Sequence, residues 1–529
     1  MNINNHWFPH LDKIVPVLRS SDEKVSLYTI ALEGWRRGLV LRFHRVIKNG
    51  KVDFKFTLSS DKSQHTFDVS MGDKVSEEAV KICANKELTK RTLFNAGIPI
   101  PKGKCFKIND SFDEIVNYAN KLGYPVVLKP TTGSGGKGVV SDIKSEHMLK
   151  NALSSFKKGS KDIILEKFYS GKEVRVYVIG NKIVGAINRV PAHVIGDGKK
   201  SIYQLIQDKN RDRKRIPHLY NRPIIIDDEV TFLLKSRGYT LDSILKEGEK
   251  IFIRSVSNVS LGGDPIDVTD DLSDSIKDLA IKATKSIPGL VQCGVDIIID
   301  NSKNTGVILE LNTKPGIGSH LFPLVGIPRD VPSAIIDYYF PETAGVKTIG
   351  LQFYYNFKEV IKVLYDGQAT EYEVVPAPNG FKVAKRLCFN NVIIDKKNKS
   401  FIKKVADEKG FHGFINTIST SSFEIILACT DYKNVRVFLD KVMKELSISN
   451  DDIRETIWEK PINMGFIIKS NEDDITTYEL EKDIENKYKT LQLMIKQNHY
   501  TERRIRNIKS SSIFKPLTLL SYAITKFKK

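Results

Sequence analysis

The sequence predicts a multidomain α+β protein, and three observations carry that prediction. The chain has 529 residues, enough for three or four domains with separate cores. Helical and strand-like apolar periodicities alternate along most of its length. A glycine-rich stretch, "TTGSGGKG" at residues 131–138, links two strand-like runs instead of opening a helix. Apolar and charged fractions of 41% and 27% place the chain among globular proteins rather than disordered ones. No apolar run approaches about 18 residues, so no membrane-spanning helix is predicted. The first residues, "MNINNHWFPHLDKIVPVLR", lack the basic-then-apolar order of a secretory signal. Cys83, Cys105, Cys293, Cys388 and Cys429 are scattered, with no C-x-x-C pair. That spacing predicts reduced thiols and a cytoplasmic setting, without disulfides or structural zinc.

Five segments follow in order. Residues 1–80 read as an N-terminal α/β domain: "VSLYTIALEGW" is a helix, and "LVLRF", "KVDFKFTLSS" and "HTFDVS" are strands. Residues 81–342 form the body. There, Gly97, Pro99 and Pro101 stop a helical stretch. "SFDEIVNYANKLG" is a helix and "YPVVLKP" a strand, and three short strands lie in "DIILEKFYSGKEVRVYVIGNKIVGAINRV". A polar, helical insertion follows. The helix in "TDDLSDSIKDLAIKATKSIPG" has capping residues at its start. Residues 343–380 read as a connector or small adaptor. Residues 381–468 read strand, helix, strand, strand, helix, strand, the split βαβ order of a ferredoxin-like fold. Residues 469–529 are a basic helical tail.

The chemistry-bearing residues lie in the body. Backbone amides of a glycine-rich turn can converge on an anion, and Lys129, just before the loop, adds a point charge. No G-x-x-x-x-G-K-[ST] motif occurs, so the loop is a lid rather than a helix-capped cradle. Lys90 lies upstream on a helix, where a solvated surface lysine is the plain alternative. Glu166 and Glu173 flank a turn and suit amino or hydroxyl groups, solvated surface carboxylates being the plain alternative. Asp296 lies on one apolar strand, and Glu310 and Asn312 share a face of the next. Three such oxygen side chains suit a hard cation; buried without a partner they would be costly.

In this order these residues resemble the ATP-grasp ligases over about residues 85 to 340. The likeness is to the ATP-grasp part of cyanophycin synthetases and bifunctional glutathione synthetases. It is carried by "NRVPAHVIGDGKKSIYQLI", "IRSVSNVSLGGDPIDVTDDL" and "ELNTKPGIGSHLFPLVGIPRDVPSAIIDYYFP". The resemblance implies an ATP-grasp fold, two α+β subdomains clasping a nucleotide. It implies that Lys90 and Lys129 contact ATP phosphates, with Thr131, Gly133, Ser134, Gly135, Gly136 and Gly138 closing over them. Glu166, with the Lys167 and Phe168 backbone, would face adenine, and Glu173 the ribose. Asp296, Glu310 and Asn312 would hold two Mg2+ ions, Mn2+ being the alternative. Arg254 and Asn258 would steady the transferred phosphate and acyl group. Arg175, Arg189 and His320 stay open between substrate contact and structural packing. The implied activity is an ATP-dependent carboxylate–amine ligase that forms an amide through an acylphosphate on amino-acid or peptide-like substrates. The alternative is an ATP-binding regulatory protein, associated with a polyanion or membrane, without turnover. No Mur-ligase P-loop accompanies the motifs, so polymer extension stays open.

In the C-terminal segment, "KKVADEKGFHGFINTISTSSFEIILAC" resembles acylphosphatase. Lys399 stands where that family has its arginine, and Thr417 where it has its asparagine, with Asn416 beside it. A lysine does not reproduce the guanidinium fork, and the phosphate-binding glycines are missing. A catalytically dead acylphosphatase-like domain with a binding or assembly role is expected. The formal charge of +19 implies an anionic partner. No nucleic-acid-binding signature accompanies it, so nucleic acid is not expected. From residue 486 onward there are eleven Lys and Arg against one Glu, and Leu517, Leu520, Ile524 and Phe527 share one helical face. Such a tail suits its own protein's surface, an anionic polymer or a membrane surface. A homo-oligomer is expected.

Overall fold

The computed structural model describes residues 22–469, apart from 108–109, 132–137, 157–161, 301, 347–352, 382, 420 and 460. Gly133, Ser134, Gly135 and Gly136 and the basic tail lie outside the described residues.

The helix Asp22–Arg36 is buried on every side from Val25 to Trp35, as an all-round apolar helix must be. It packs between the first sheet and the helix Val331–Tyr339. Trp35 donates its indole N–H to the Val375 carbonyl at 2.8 Å. In the first sheet, Val40–Lys48 and Lys51–Ser59 form a hairpin. Its turn, Asn49-Gly50, has left-handed φ at both residues, +49° and +73°, the arrangement that a two-residue hairpin of right-twisted strands needs. Residues 343–380 do more than join. The helix Phe357–Tyr365 enters the first core, and the strand Glu371–Val374 pairs antiparallel with Val40–Lys48 at the sheet edge.

The body has two lobes with separate cores. The small lobe is a four-stranded sheet, in order Gly103–Phe106, Ile163–Lys167, Val126–Pro130, Val140–Ile143. The helices Phe112–Leu122 and Glu146–Phe156 cover one face. The large lobe is a five-stranded sheet, in order Asp264–Asp267, Lys182–Val190, Lys172–Ile179, Gln292–Asp300, Thr305–Asn312. Val295, Ile297 and Ile299 alternate into a core against the helix Asp274–Lys285. Ser273 precedes that helix, but its hydroxyl donates to Asn304 Oδ1 at 2.6 Å and makes no cap bond. The insertion builds its own small core from the helices Ile202–Arg213 and Asp228–Ser236 and the hairpin His193–Ile195 with Lys250–Phe252.

The C-terminal sheet runs Ile453–Ile457, Val383–Asn390, Ser422–Cys429, His412–Ser419, Phe466–Ile468. The helices Lys396–Glu408 and Tyr432–Leu446 cover one face. The other face is not solvated throughout. Ala384, Phe414, Ile426 and Ala428 join the same buried cluster as Trp35, Phe43 and Phe353. The two ends of the described chain therefore share one core. Phe414→Ala, which empties part of it, is expected to cost about 3–5 kcal/mol. Urea unfolding should then show one lowered transition for both ends. Two separate transitions, with only the later one moved, would contradict a shared core.

Candidate nucleotide and metal site

The first charge cluster gathers on the small-lobe sheet, with Lys90 added from a helix that packs into the large-lobe core. In its sheet Glu166 lies opposite Gly103 and Val127, and Lys129 opposite Ile164. The twofold period then puts Lys129 and Glu166 on the face away from the lobe's core. Glu166 is 2% exposed. Lys129 Nζ lies 2.8 Å from its Oε2, and Lys90 Nζ contacts its Oε1. Lys90 comes from the helix Lys86–Asn95, held at its start by the Asn85 side chain, which accepts from the amides of Glu87 and Leu88. Burial, with repulsion from Lys129, pushes the Lys90 ammonium down to about 7. Burial, with repulsion from Lys86, pushes Lys129 down to about 8. Lys86, one helical turn before Lys90, was missed from sequence, although (i, i+4) spacing puts the two lysines on one face.

The second cluster crosses the large sheet. Asp296 pairs in register with Arg175 on one side and Glu310 on the other, and Gly294 with Asn312. A bulge next to Asp296 shifts the register, a common device for re-aiming a side chain at a functional site. Gly294 is needed for close approach: a Cβ there would lie 2.8 Å from Pro315 Cβ. Arg175 Nε and Nη2 grip Asp296 Oδ1 and Oδ2 at 2.7 and 2.8 Å. Arg189 Nη2 lies 2.7 Å from the same Oδ2 and 3.1 Å from Glu173 Oε1. Burial alone would raise the Asp296 carboxyl, but the two guanidiniums hold it well below the usual carboxylate range. Burial pushes Glu173 up to about 7 against the pull of Arg189. Burial and the Asp296 charge raise Glu310. Glu310 also acts on Lys129, so the two clusters are in electrostatic contact across the lobes.

The donor set fits a divalent cation. Three carboxylates, Glu173, Asp296 and Glu310, meet two guanidiniums, which leaves Glu310 short of positive charge. Asp296 Oδ1 accepts one bond and keeps a lone pair. Asn312 Oδ1 accepts from the Lys314 amide at 3.0 Å and keeps a second lone pair. Among the described residues no group of three or more His, Cys, Asp or Glu is placed for a metal, so the mixed set of two acids and an amide is the candidate.

Other expected residues lie elsewhere or are already engaged. Thr131 donates its amide and hydroxyl to the Asp162 carbonyl at 2.9 and 3.2 Å. Gly138 closes the described part of the loop with φ +75°. At the turn after Glu166, the Lys167 amide donates to the Lys102 carbonyl and the Phe168 amide to the Pro125 carbonyl. Arg254 is bound within the insertion, to Glu229 at 2.6 Å, Asp227 at 2.7 Å and the Ile225 carbonyl at 2.9 Å. Asn258 caps a short turn, accepting from the Ser260 amide at 2.9 Å. The Gly262 and Gly263 amides bond to the Val259 and Asn258 carbonyls. His320 is 0% exposed, edge-on to Tyr177, so it packs the wall here. Arg254 and Asn258 are engaged by groups of the insertion and the turn after it, which sequence order does not reveal.

Residues 83–317 match the ATP-grasp domain family. Cyanophycin synthetase of Trichormus variabilis is 36% identical over 279 residues, covering 51% of this chain and 31% of that protein. The glutathione biosynthesis bifunctional protein GshAB of Clostridium perfringens is 34% identical over 332 residues, covering 60% of this chain and 41% of its own. The chain thus spans well under half the length of these curated relatives. Among solved structures, a bifunctional glutathione synthetase from Pasteurella multocida is 28% identical, covers 54% of this chain and 40% of its own, and has a TM-score of 0.43.

Proposed function

We propose that this chain, which carries an ATP-grasp domain over residues 83–317, is an ATP-dependent carboxylate–amine ligase acting on amino-acid or peptide-like substrates. The observation that carries the reading is the pairing of two clusters, buried lysines around Glu166 and acids on the large-lobe sheet. Lys90 and Lys129 bind and orient the triphosphate, exchanging Glu166 for phosphate oxygens. Glu166 then accepts from the adenine amino group, and Glu173 from ribose. Asp296, Glu310 and Asn312 would hold Mg2+, which would supply positive charge against the phosphates. Arg175 and Arg189 hold Asp296 at its place on the sheet and add fixed positive charge beside it. Such pre-arranged charge costs no reorganisation during reaction. Phosphoryl transfer to a carboxylate needs mainly positioning and charge neutralisation, and the acylphosphate formed is then open to attack by a neutral amine. Arg254 serves the acyl group only if it leaves Asp227 and Glu229.

The C-terminal module reads as an acylphosphatase-like, ferredoxin-like domain that has lost its activity. Asp395 caps the helix Lys396–Glu408, accepting from the Asn398 amide at 2.7 Å. Its carboxylate thus takes up amides that would otherwise be open to an anion. Lys399 lies inside that helix, and Asn416 is tied to Glu424 at 3.0 Å. Burial of Phe414 and Ile426 in the shared core favours an assembly role for the module.

The test is ADP release with Mg2+ and a matrix of amino-acid carboxylates and amines. Substrate-dependent ADP with matching amide product supports the ligase. Tight nucleotide binding with no ADP under any pairing would instead establish a regulatory ATP-binding protein.

A further inference from the structure

A cavity of about 700 Å³ is lined by Lys90 and by none of the acids proposed for the metal. One wall is the helix Lys86–Asn95, whose Leu88 and Leu93 pack into the large-lobe core. The opposite wall belongs to the small lobe: Cys105 and Ile164 from the sheet, and Tyr118, which packs against that lobe's core. The floor is the connection between the lobes, Gly97 to Gly103. The cavity is therefore an interlobe wedge beside the hinge, and domain junctions are where ligand pockets concentrate. Its volume is within the range of small-molecule sites, roughly 300–1,000 Å³.

Its chemistry is specific. Phe94, 73% exposed, projects from the helix together with Arg91. Lys102 and Lys104 stand at the hinge side, and Glu87 is the only carboxylate among the lining residues. Lys104 is already paired with Glu114 at 2.9 Å. An apolar pocket with surplus cations at its mouth suits a small aromatic body bearing a carboxylate or another oxyanion. Lys90 lines this cavity and also contacts Glu166.

The geometry points to a second ligand site here, for a small aromatic anion, whose occupancy is coupled to nucleotide through Lys90 and the angle between the lobes. The site follows from the cavity itself; its coupling rests on the reading of Lys90 as a nucleotide ligand.

The probe is 8-anilinonaphthalene-1-sulfonate, titrated by fluorescence against the full chain. Arg91→Glu and Phe94→Ala, both surface changes that leave the cores intact, are expected to weaken binding by about tenfold each. Phe232→Ala removes another exposed ring, 70% accessible, and is expected to leave binding unchanged. Mg-ADP should shift probe affinity by about fivefold or more, and the probe should shift Mg-ADP affinity by the same factor. Probe binding indifferent to Arg91→Glu and Phe94→Ala, or equally weakened by Phe232→Ala, would overturn the site. Probe binding in the cavity with Mg-ADP bound but no mutual shift would overturn the coupling. Calorimetry of Mg-ADP alone separates these outcomes from failure of the ligase reading, which would show as no nucleotide binding at all.

Discussion

Asp296→Ala is expected to destabilise the chain by about 3–5 kcal/mol, the usual cost of removing one partner from a buried ion pair. Asp296 is 3% exposed and answers two guanidiniums, Arg175 and Arg189. Alanine leaves both facing an apolar sheet with only Glu173 and the more distant Glu310 to balance them. Asp296→Ala combined with Arg175→Met should recover part of the loss, because one of the orphaned charges goes with it. Glu310→Ala separates the two roles of the cluster. Glu310 is half-buried, so its loss should barely move the urea midpoint yet weaken Mg2+-dependent ADP binding. If Asp296→Ala unfolds like the parent chain, the cluster does not hold the sheet as described. The pH behaviour has a defined sign. The Asp296 carboxyl is held below its unfolded range. Its contribution is therefore complete above about pH 5 and lost as acid protonates it in the fold.

Nucleotide binding at pH 8 is expected to take up protons, on the order of one per site. Lys90 and Lys129 are pushed to about 7 and about 8 in the free protein, so both are partly neutral there. Phosphate oxygens restore the ammonium forms. Calorimetry of Mg-ADP binding in two buffers of different ionisation enthalpy reads the uptake directly. Affinity should fall as pH rises through 7 to 9. Stability should move the other way over that range. Each lysine's folded value lies below its unfolded one, so the unfolded chain binds more protons there and rising pH favours the fold. Lys90→Met should abolish the larger share of the uptake, since Lys90 is the more fully neutral of the two at pH 8. Lys129→Met should remove the smaller share and weaken Mg-ADP by about 2–3 kcal/mol, the scale of a lost charge-assisted bond. Uptake unchanged in Lys129→Met and in Lys90→Met would place the phosphates elsewhere.

Much of this architecture was legible in the residues. "VILELN" and "CGVDIIID" announce strands through β-branched runs, and their acids break the apolar pattern in a way that only a cation or partner relieves. Gly97, Pro99 and Pro101 follow the end of a helix at Asn95, as expected. The partners of those acids were not legible. Arg175 and Arg189 were left open between substrate and structure, and the sheet register decides for ion pairing, since it sets Arg175 directly opposite Asp296. The engagement of Arg254 by Asp227 and Glu229 was equally hidden, because the insertion that brings them together has no fixed spacing.

By itself the sequence determined where strands, helices and the glycine loop lie, and which side chains could answer phosphate and cation. These features are local, set by periodicity, caps and the dihedral needs of glycine and proline. Only the tertiary structure decided that Glu371–Val374 completes the first sheet, that the C-terminal sheet shares a core with Trp35, and that Glu166 sits between two lysines. Each of these joins residues far apart in the chain. Such contacts are selected by burial and charge balance in the folded whole, which no short window of sequence encodes.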